Sequence, residues 1–172
     1  TLEIKERFAD ERKTEIVPDE IEDIDVEDLI QKENMVVLIT KSGFIKRVPI
    51  TSYKSQNRGG KGYSSMNLRD DDFIEHIFIA NTHDYILFIT NEGKAYWLKV
   101  HEIPEGSRAT KGRHIKALLQ ISADEEITAV VSLQDFESDK YIFMATGNGV
   151  VKKVHVSALK NARTRGVRAI TL

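Results

Sequence analysis

The residues best suited to a chemical task form one short basic loop. The loop reads Gln56, Asn57, Arg58, Gly59, Gly60, Lys61 and Gly62. Glycine adopts positive φ without a steric penalty, and successive glycines leave backbone N–H groups free to point at an anion. Arg58 and Lys61 add positive charge beside these donors, so the loop is predicted to bind phosphate. A flexible basic surface turn without a ligand is the alternative interpretation.

The composition limits the classes of protein to consider. The chain has 172 residues, 41% of them hydrophobic, and no apolar run approaches the roughly 18 residues of a membrane span. It has no cysteine, which excludes disulfides, zinc knuckles and thiol nucleophiles. There is no cationic leader followed by an apolar stretch. These features predict a soluble cytoplasmic protein without a membrane partner.

The net charge of −2 conceals two oppositely charged parts. Residues 1–33 contain 13 Asp/Glu and 5 Lys/Arg, whereas residues 34–172 contain 14 and 20. The chain is therefore an acidic leader joined to a basic body. A basic body is compatible with a polyanionic partner, although a surplus of this size is also common on surfaces that bind none.

The acidic leader is predicted to contain a helix and a linker. Ile4, Phe8, Arg12 and Ile16 recur at a four-residue spacing that favours a helix over 3–17, which Pro18 ends. Its apolar stripe is narrow, so we interpret 1–17 as the end of an upstream helical domain. Residues 18–33 are predicted to form a linker whose last part, 26–32, makes one or two helical turns.

Three segments after the linker repeat one pattern. Each has an apolar strand, a threonine, two turn residues and a glycine, which is typical of a β-hairpin. The segments are 36–43, 86–93 and 142–149, and their glycines are 50 and 56 residues apart. This period, with four predicted strands per repeat, indicates an all-β, propeller-like fold of four-stranded blades.

The predicted blades are fewer than a closed ring requires. Propellers close with four to eight blades, so we expect the chain to be a fragment of a longer polypeptide. The predicted units are blade 1 at 34–81, blade 2 at 82–136 and an incomplete blade 3 at 137–172.

Cations recur at matching positions of the three repeats. A cation–glycine pair appears in each, as Lys61-Gly62, Lys111-Gly112 and Arg165-Gly166. Cations at equivalent positions of successive blades would lie along one rim of the propeller, where they could contact DNA phosphates with little sequence preference. The alternative is ordinary solvated strand ends on a protein-binding propeller. Outside the loop, the predicted DNA-binding residues are Lys46, Arg47, Arg108, Lys111, Arg113, Lys152, Lys153, Arg163, Arg165 and Arg168.

No catalytic constellation is predicted. The acidic triplet Asp70 to Asp72 has a counterpart in 124–126, so a role in a β-turn explains both better than a metal site. The five histidines lack ligand spacing, and the chain has no P-loop or dinucleotide fingerprint. We expect no catalytic, metal or cofactor-binding residue in this chain.

The basic loop resembles the glycine-rich box of bacterial DNA gyrase A, whose usual form is Gln-Arg-Arg-Gly-Gly-Lys-Gly. Other matching stretches are Glu27-Asp28-Leu29-Ile30, Gly43-Phe44-Ile45-Lys46-Arg47 and Asp10-Glu11-Arg12-Lys13-Thr14-Glu15-Ile16. Asn57 departs from this form, because a cation is usual there. The resemblance covers essentially the whole chain and implies a six-bladed C-terminal β-pinwheel, preceded by the end of the breakage-reunion domain.

The resemblance also implies a function. Such a pinwheel wraps double-stranded DNA with positive handedness and supports ATP-dependent negative supercoiling by a type II topoisomerase. Its implied partners are DNA, the rest of gyrase A, and gyrase B in a heterotetramer. The enzyme's ATP, Mg²⁺ and catalytic residues would lie elsewhere, and its location would be the bacterial cytoplasm, at the nucleoid. The alternatives are the corresponding domain of topoisomerase IV and a protein-binding propeller without DNA function.

Overall fold

The computed structural model describes residues 2–8, 26–53, 72–107 and 109–172. Within these ranges, the α-helix α1 (Leu2–Phe8) precedes the sheets. Short 3₁₀ turns lie at Val26–Leu29, Ile50–Ser52, Val100–Glu102, Ile115–Ala117 and Val156–Leu159. The strands in these ranges are β1 (Asn34–Thr40), β2 (Phe44–Pro49), β3 (Ile74–Asn81), β4 (Tyr85–Thr90), β5 (Lys94–Lys99), β6 (Arg113–His114), β7 (Ile127–Leu133), β8 (Tyr141–Ala145), β9 (Val151–His155) and β10 (Val167–Arg168).

The three predicted hairpins are present. Strand β1 pairs with β2, β4 with β5, and β8 with β9, all antiparallel. The glycine that ends each turn has φ between 71° and 81°, a region that side chains other than glycine rarely adopt. In the first and third hairpins the threonine Oγ1 accepts a hydrogen bond from the backbone N–H four residues on. The repeated Thr-x-x-Gly pattern therefore encodes the turn itself.

An edge strand of one repeat joins the sheet of the preceding repeat. The first sheet has the order β3-β1-β2-β6, and the second has the order β10-β5-β4-β7. Strand β6 comes from the second repeat but pairs with β2 of the first, and β10 comes from the third repeat but pairs with β5 of the second. The prediction of an all-β, propeller-like fold is confirmed, but the repeat pattern did not show that these edge strands join the preceding repeat.

The core lies between the sheets. One buried cluster joins Val37 and Ile45 of the first repeat to Ile86 and Phe88 of the second. Another joins Leu87 of the second repeat to residues of the third, Val156 among them. Adjacent residues of β4 thus face opposite clusters, because this sheet has a neighbour on each face. This burial explains why the strands read as nearly continuous apolar runs rather than alternating ones.

The leader is described only in part. Helix α1 overlaps the start of the predicted helix, beginning one residue earlier, and has no buried residue; its Leu2, Ile4 and Phe8 are exposed. The rest of the predicted helix and most of the linker lie outside the described residues. The predicted turn near 26–32 is present as Val26–Leu29. None of the described helices is long and apolar enough to cross a membrane.

Candidate nucleic-acid interface

The box at 56–62 and Arg108 lie outside the described residues, so their predicted contact with phosphate stays a prediction. The second and third repeats show how the shared cation–glycine pair is built. Gly112 has a φ of 82° and crosses β2 so closely that a Cβ would lie 2.4 Å from the carbonyl oxygen of Ile45. Its neighbour Lys111 places Nζ 3.8 Å from the ring centroid of Phe44. Both contacts join the second repeat to the first.

The third repeat crosses the second in the same way. Gly166 has a φ of 73°, and a Cβ there would lie 2.5 Å from the Tyr96 ring. The preceding Arg165 is exposed. The glycine of the pair is therefore required by a close inter-repeat crossing, and the cation stands beside that crossing. Repetition of the glycine alone is explained by packing, whereas packing does not require the cation at Arg165.

Lys46 is buried inside the protein, which corrects its assignment to the DNA-binding rim. Its side chain is fully buried, and Nζ donates hydrogen bonds to the carbonyl oxygens of Ser107 at 3.0 Å and Thr110 at 2.8 Å. Burial lowers the pKa of Lys46 below its ordinary value. An ammonium group in this position has no path to a phosphate in this conformation.

Arg47 is also engaged within the protein. Its Nε donates to the carbonyl oxygen of Ile103 at 2.7 Å, and an Nη atom lies 3.2 Å from a carboxylate oxygen of Glu105. Its side chain is only 16% exposed. The structure thus gives Arg47 a contact with the next repeat, and it does not place this side chain among the freely exposed cations.

The other predicted cations reach the surface to different degrees. Arg113, Lys152, Lys153, Arg163, Arg165 and Arg168 are exposed, and Lys111 is half-buried. Three of the exposed set have internal partners. Lys152 Nζ donates to the carbonyl oxygen of Ala169 at 2.7 Å, Lys153 Nζ lies 4.0 Å from the Tyr141 ring centroid, and Arg163 lies 3.3 Å from a carboxylate oxygen of Glu102.

Asp72, the described residue of the first acidic turn, hydrogen-bonds to the first hairpin. Asp72 accepts hydrogen bonds from the backbone N–H groups of Ser42 and Phe73, each at 3.0 Å. Burial by itself raises the pKa of Asp72, but these hydrogen bonds outweigh it, so the pKa lies below its ordinary value. Within the described ranges, no three acidic or histidine side chains form a group suited to a metal ion.

Glu125 occupies the corresponding place in the second repeat. It is fully buried, and it accepts hydrogen bonds from the hydroxyls of Thr90 at 2.6 Å and Tyr96 at 3.2 Å. Lys94 Nζ lies 3.4 Å from its other oxygen. The carboxylate therefore ties the acidic turn to both strands of the second hairpin.

A contact between the linker and the second repeat is not predicted by the sequence. Glu27 Oε1 lies 2.7 Å from Lys99 Nζ and 3.3 Å from His83 Nδ1. The backbone N–H of Thr82 donates to the carbonyl oxygen of Glu33 at 3.0 Å. We call this contact between residues 27–33 and the second repeat the linker clip. In the sequence Glu27 is one of many acidic residues of the leader, and nothing local marks it as paired.

Comparisons with known proteins agree on one family. A family model described as the DNA gyrase C-terminal domain, beta-propeller, matches residues 34–81, 84–134 and 140–172. DNA gyrase A of Treponema pallidum (strain Nichols) is 58% identical over 172 residues, which are 100% of this chain and 21% of that protein. The chain thus spans about one fifth of the length of the curated relatives it matches.

Solved structures give the same picture. The structure of a DNA gyrase A C-terminal domain matches with a TM-score of 0.65 and 37% identity, covering 81% of this chain and 44% of that one. The C-terminal domain of a DNA topoisomerase IV matches with a TM-score of 0.69 and 31% identity, covering 83% and 43%.

Proposed function

Because the chain belongs to the family of DNA gyrase C-terminal beta-propeller domains, we propose that it binds double-stranded DNA and bends it around a basic rim. The observation that carries this proposal is the recurrence of a cation beside each inter-repeat crossing, at Lys111 and at Arg165. The close crossing requires the glycine but not the cation. A cation that recurs at the same position of each repeat suits a ligand with negative charges at regular intervals. A phosphate backbone is such a partner.

The charge distribution supports bending rather than base reading. Exposed cations bind phosphates by releasing counterions, and they carry no sequence information. A curved row of cations repays the energy of bending DNA with contacts that a straight duplex cannot make. The DNA would be wrapped with positive handedness. This wrap would support ATP-dependent negative supercoiling by the complete enzyme.

The proposed partners are those that the resemblance to gyrase A implies. We propose that the chain works within gyrase A, joined to gyrase B in a heterotetramer, in the bacterial cytoplasm at the nucleoid. The catalytic residues and the sites for ATP and Mg²⁺ would belong to other parts of that enzyme. The chain would contribute the path of the DNA and not the chemistry of strand cleavage.

The box at 56–62 is proposed to fix where the wrap closes. Its Lys61-Gly62 pair has counterparts in the other two repeats, but Gln56 and the Gly59-Gly60 pair have none. Phosphate contact would therefore be shared by the repeats, while the longer loop would be particular to the first. Asn57, in place of a cation, removes one phosphate contact and about one unit of salt dependence.

The test of wrapping uses a nicked plasmid that is religated with the full-length protein. A positive shift in linking number is expected, and no shift would overturn the proposal. Replacing Arg58 and Lys61 together by Ala is expected to abolish the shift while only weakening DNA affinity, because other cations remain. Equal loss of both properties would reduce the box to one more phosphate contact.

Two alternatives give different results. For a protein-binding propeller, affinity for a duplex of about 150 base pairs, one persistence length of DNA, would be absent at low salt or indifferent to salt. For the topoisomerase IV counterpart, duplex binding would persist without the shift. The nearly intact box and the higher identity to the gyrase A domain, 37% against 31%, favour gyrase.

A further inference from the structure

The first repeat holds part of the basic surface of the second. We propose that Lys46 and Arg47 are positioning residues, which fix residues 103–107 and 109–112 of the loop before β6 so that Lys111 and Arg113 can contact phosphate. The proposal rests on the proposed DNA binding for its consequence, but the fixing of the loop stands on contacts within the protein. It replaces the assignment of both residues as phosphate contacts.

Lys46 secures the later part of the loop. Its Nζ donates to the carbonyl oxygens of Ser107 and Thr110, which lie on the two sides of position 108. An ammonium group is taken out of water only where hydrogen bonds replace its hydration. Two carbonyl oxygens that accept from one buried ammonium therefore fix the position of the backbone, because moving the loop would leave the charge buried without these acceptors.

Arg47 secures the start of the loop. Its backbone N–H donates to the carbonyl oxygen of Pro104, and its carbonyl oxygen accepts from the N–H of Gly106, both at 3.0 Å. The Nε bond to Ile103 and the ion pair with Glu105 add side-chain contacts to these backbone bonds. Residues 103–106 thus lie along Arg47 as a short added strand with backbone and side-chain pairing.

The second repeat shows that these positions do not need a charge. Tyr96 and Trp97 occupy the places of Lys46 and Arg47 relative to the hairpin glycine. Tyr96 lies beneath Gly166, and Trp97 Nε1 donates to the carbonyl oxygen of Lys160 at 3.0 Å. Both are contacts with the following repeat. The shared property of the two positions is therefore contact with the next repeat, which neutral aromatic side chains provide equally well.

The first experiment uses the protein without DNA. With an amine-acylating reagent, Lys46 of the wild type is expected to react at least about tenfold more slowly than the exposed Lys153, since its ammonium is buried and hydrogen-bonded. In Lys46→Met, the amides of Gly106 and Thr110 are expected to exchange about tenfold faster, with β4 unchanged. Lys153→Met is the matched control, and it should leave both amides unchanged.

The second experiment measures salt dependence of DNA affinity. Lys111→Ala with Arg113→Ala is expected to lower the slope by about two units. Adding Lys46→Met to that pair should lower it no further, because a positioning residue acts through the cations already removed. A further loss of about one unit would make Lys46 a phosphate contact and overturn the proposal.

The outcomes separate this inference from the proposed function. Rapid acylation of wild-type Lys46, or unchanged exchange in Lys46→Met, overturns the fixing of the loop whatever happens with DNA. Slow acylation and faster exchange in a protein that binds no DNA support the fixing of the loop and overturn the DNA-binding function. If Lys46→Met does not fold, the acylation of the wild type and the exchange of Gly106 in Arg47→Met decide.

Discussion

Gly112 crosses the backbone of Ile45 at a distance that leaves no room for a side chain. A Cβ at Gly112 would lie 2.4 Å from the Ile45 carbonyl oxygen, well inside any contact a real Cβ makes. The residue also has a φ of 82°. Two separate constraints, conformation and space, therefore select glycine where the second repeat passes over the first.

The two constraints are separable by a matched pair of substitutions. Gly149 has a φ of 80°, and nothing lies within 4 Å of its Cβ position. Gly149→Ala is expected to lower the free energy of unfolding by about 1–2 kcal/mol, the conformational penalty alone. Gly112→Ala is expected to lower it by a further ~1–3 kcal/mol, because the neighbouring strand must move. Urea unfolding of both variants measures this, and equal losses would show that the crossing is not close.

Glu125 gives the fold a pH dependence of known sign. Burial by itself raises its pKa, but the hydrogen bonds to its carboxylate outweigh burial, so the pKa lies below the ordinary value of 4.5. Below that pH the unfolded chain takes up the proton first, and stability is lost until the folded carboxyl is protonated. We expect the contribution of Glu125 to the free energy of unfolding to be fully present above about pH 4.5 and to decrease as the pH falls further.

The exposed neighbour Glu126 supplies the control for Glu125. Glu125→Gln is expected to destabilise the protein at pH 7 by about 2 kcal/mol, since buried charged hydrogen bonds are lost, and to flatten the acid slope. Glu126→Gln should leave both nearly unchanged. Urea midpoints between about pH 3 and pH 7 provide the measurement, and an unchanged slope in Glu125→Gln would contradict the assignment.

The repeats were predictable from sequence because their turns are locally encoded. The Thr-x-x-Gly hairpins at Gly43, Gly93 and Gly149 are confirmed, since each turn depends on its own residues. The pairing of β6 and β10 with the preceding repeat was not predictable, because no local sequence pattern identifies the partner of a two-residue strand. The repeats show that these strands recur, but the repeated pattern would be the same if each strand paired within its own repeat.

The error at Lys46 has a physical cause. Buried and exposed residues alternate along a strand only where one face of the sheet is covered. In β2 both Ile45 and Lys46 are buried: Ile45 packs in the core shared with the second repeat, and Lys46 contacts Ser107 and Thr110. The alignment of Lys46 with the aromatic Tyr96 was the available signal that this position is an interior one.

The linker clip should depend on one carboxylate. Glu27→Gln is expected to release residues 27–33, because the amide loses the ion pair with Lys99 and weakens the contact with His83. Hydrogen exchange at the Thr82 amide, which donates to Glu33, should rise about three- to tenfold.

The adjacent Asp28 is exposed and serves as the control for the clip. Asp28→Asn should leave exchange at Thr82 unchanged. Added salt should accelerate exchange in the wild type and have little effect in Glu27→Gln, since the ion pair it screens is already absent. Equal salt responses in the two proteins would show that Glu27 does not hold the linker.

Trp97 reports on the contact between the second and third repeats. It is the single tryptophan of the chain, and its ring packs against Tyr85 and Phe136 while Nε1 bonds to the third repeat. Val156 is fully buried in the same cluster, whereas Val151 is 60% exposed. Val156→Ala is expected to cost about 2 kcal/mol and to move the fluorescence-detected urea midpoint downward, because it removes buried methyl groups and leaves a cavity. Val151→Ala, the same change in the same repeat, should shift the midpoint by less than a quarter of that, and comparable shifts would contradict the packing of the third repeat against β4.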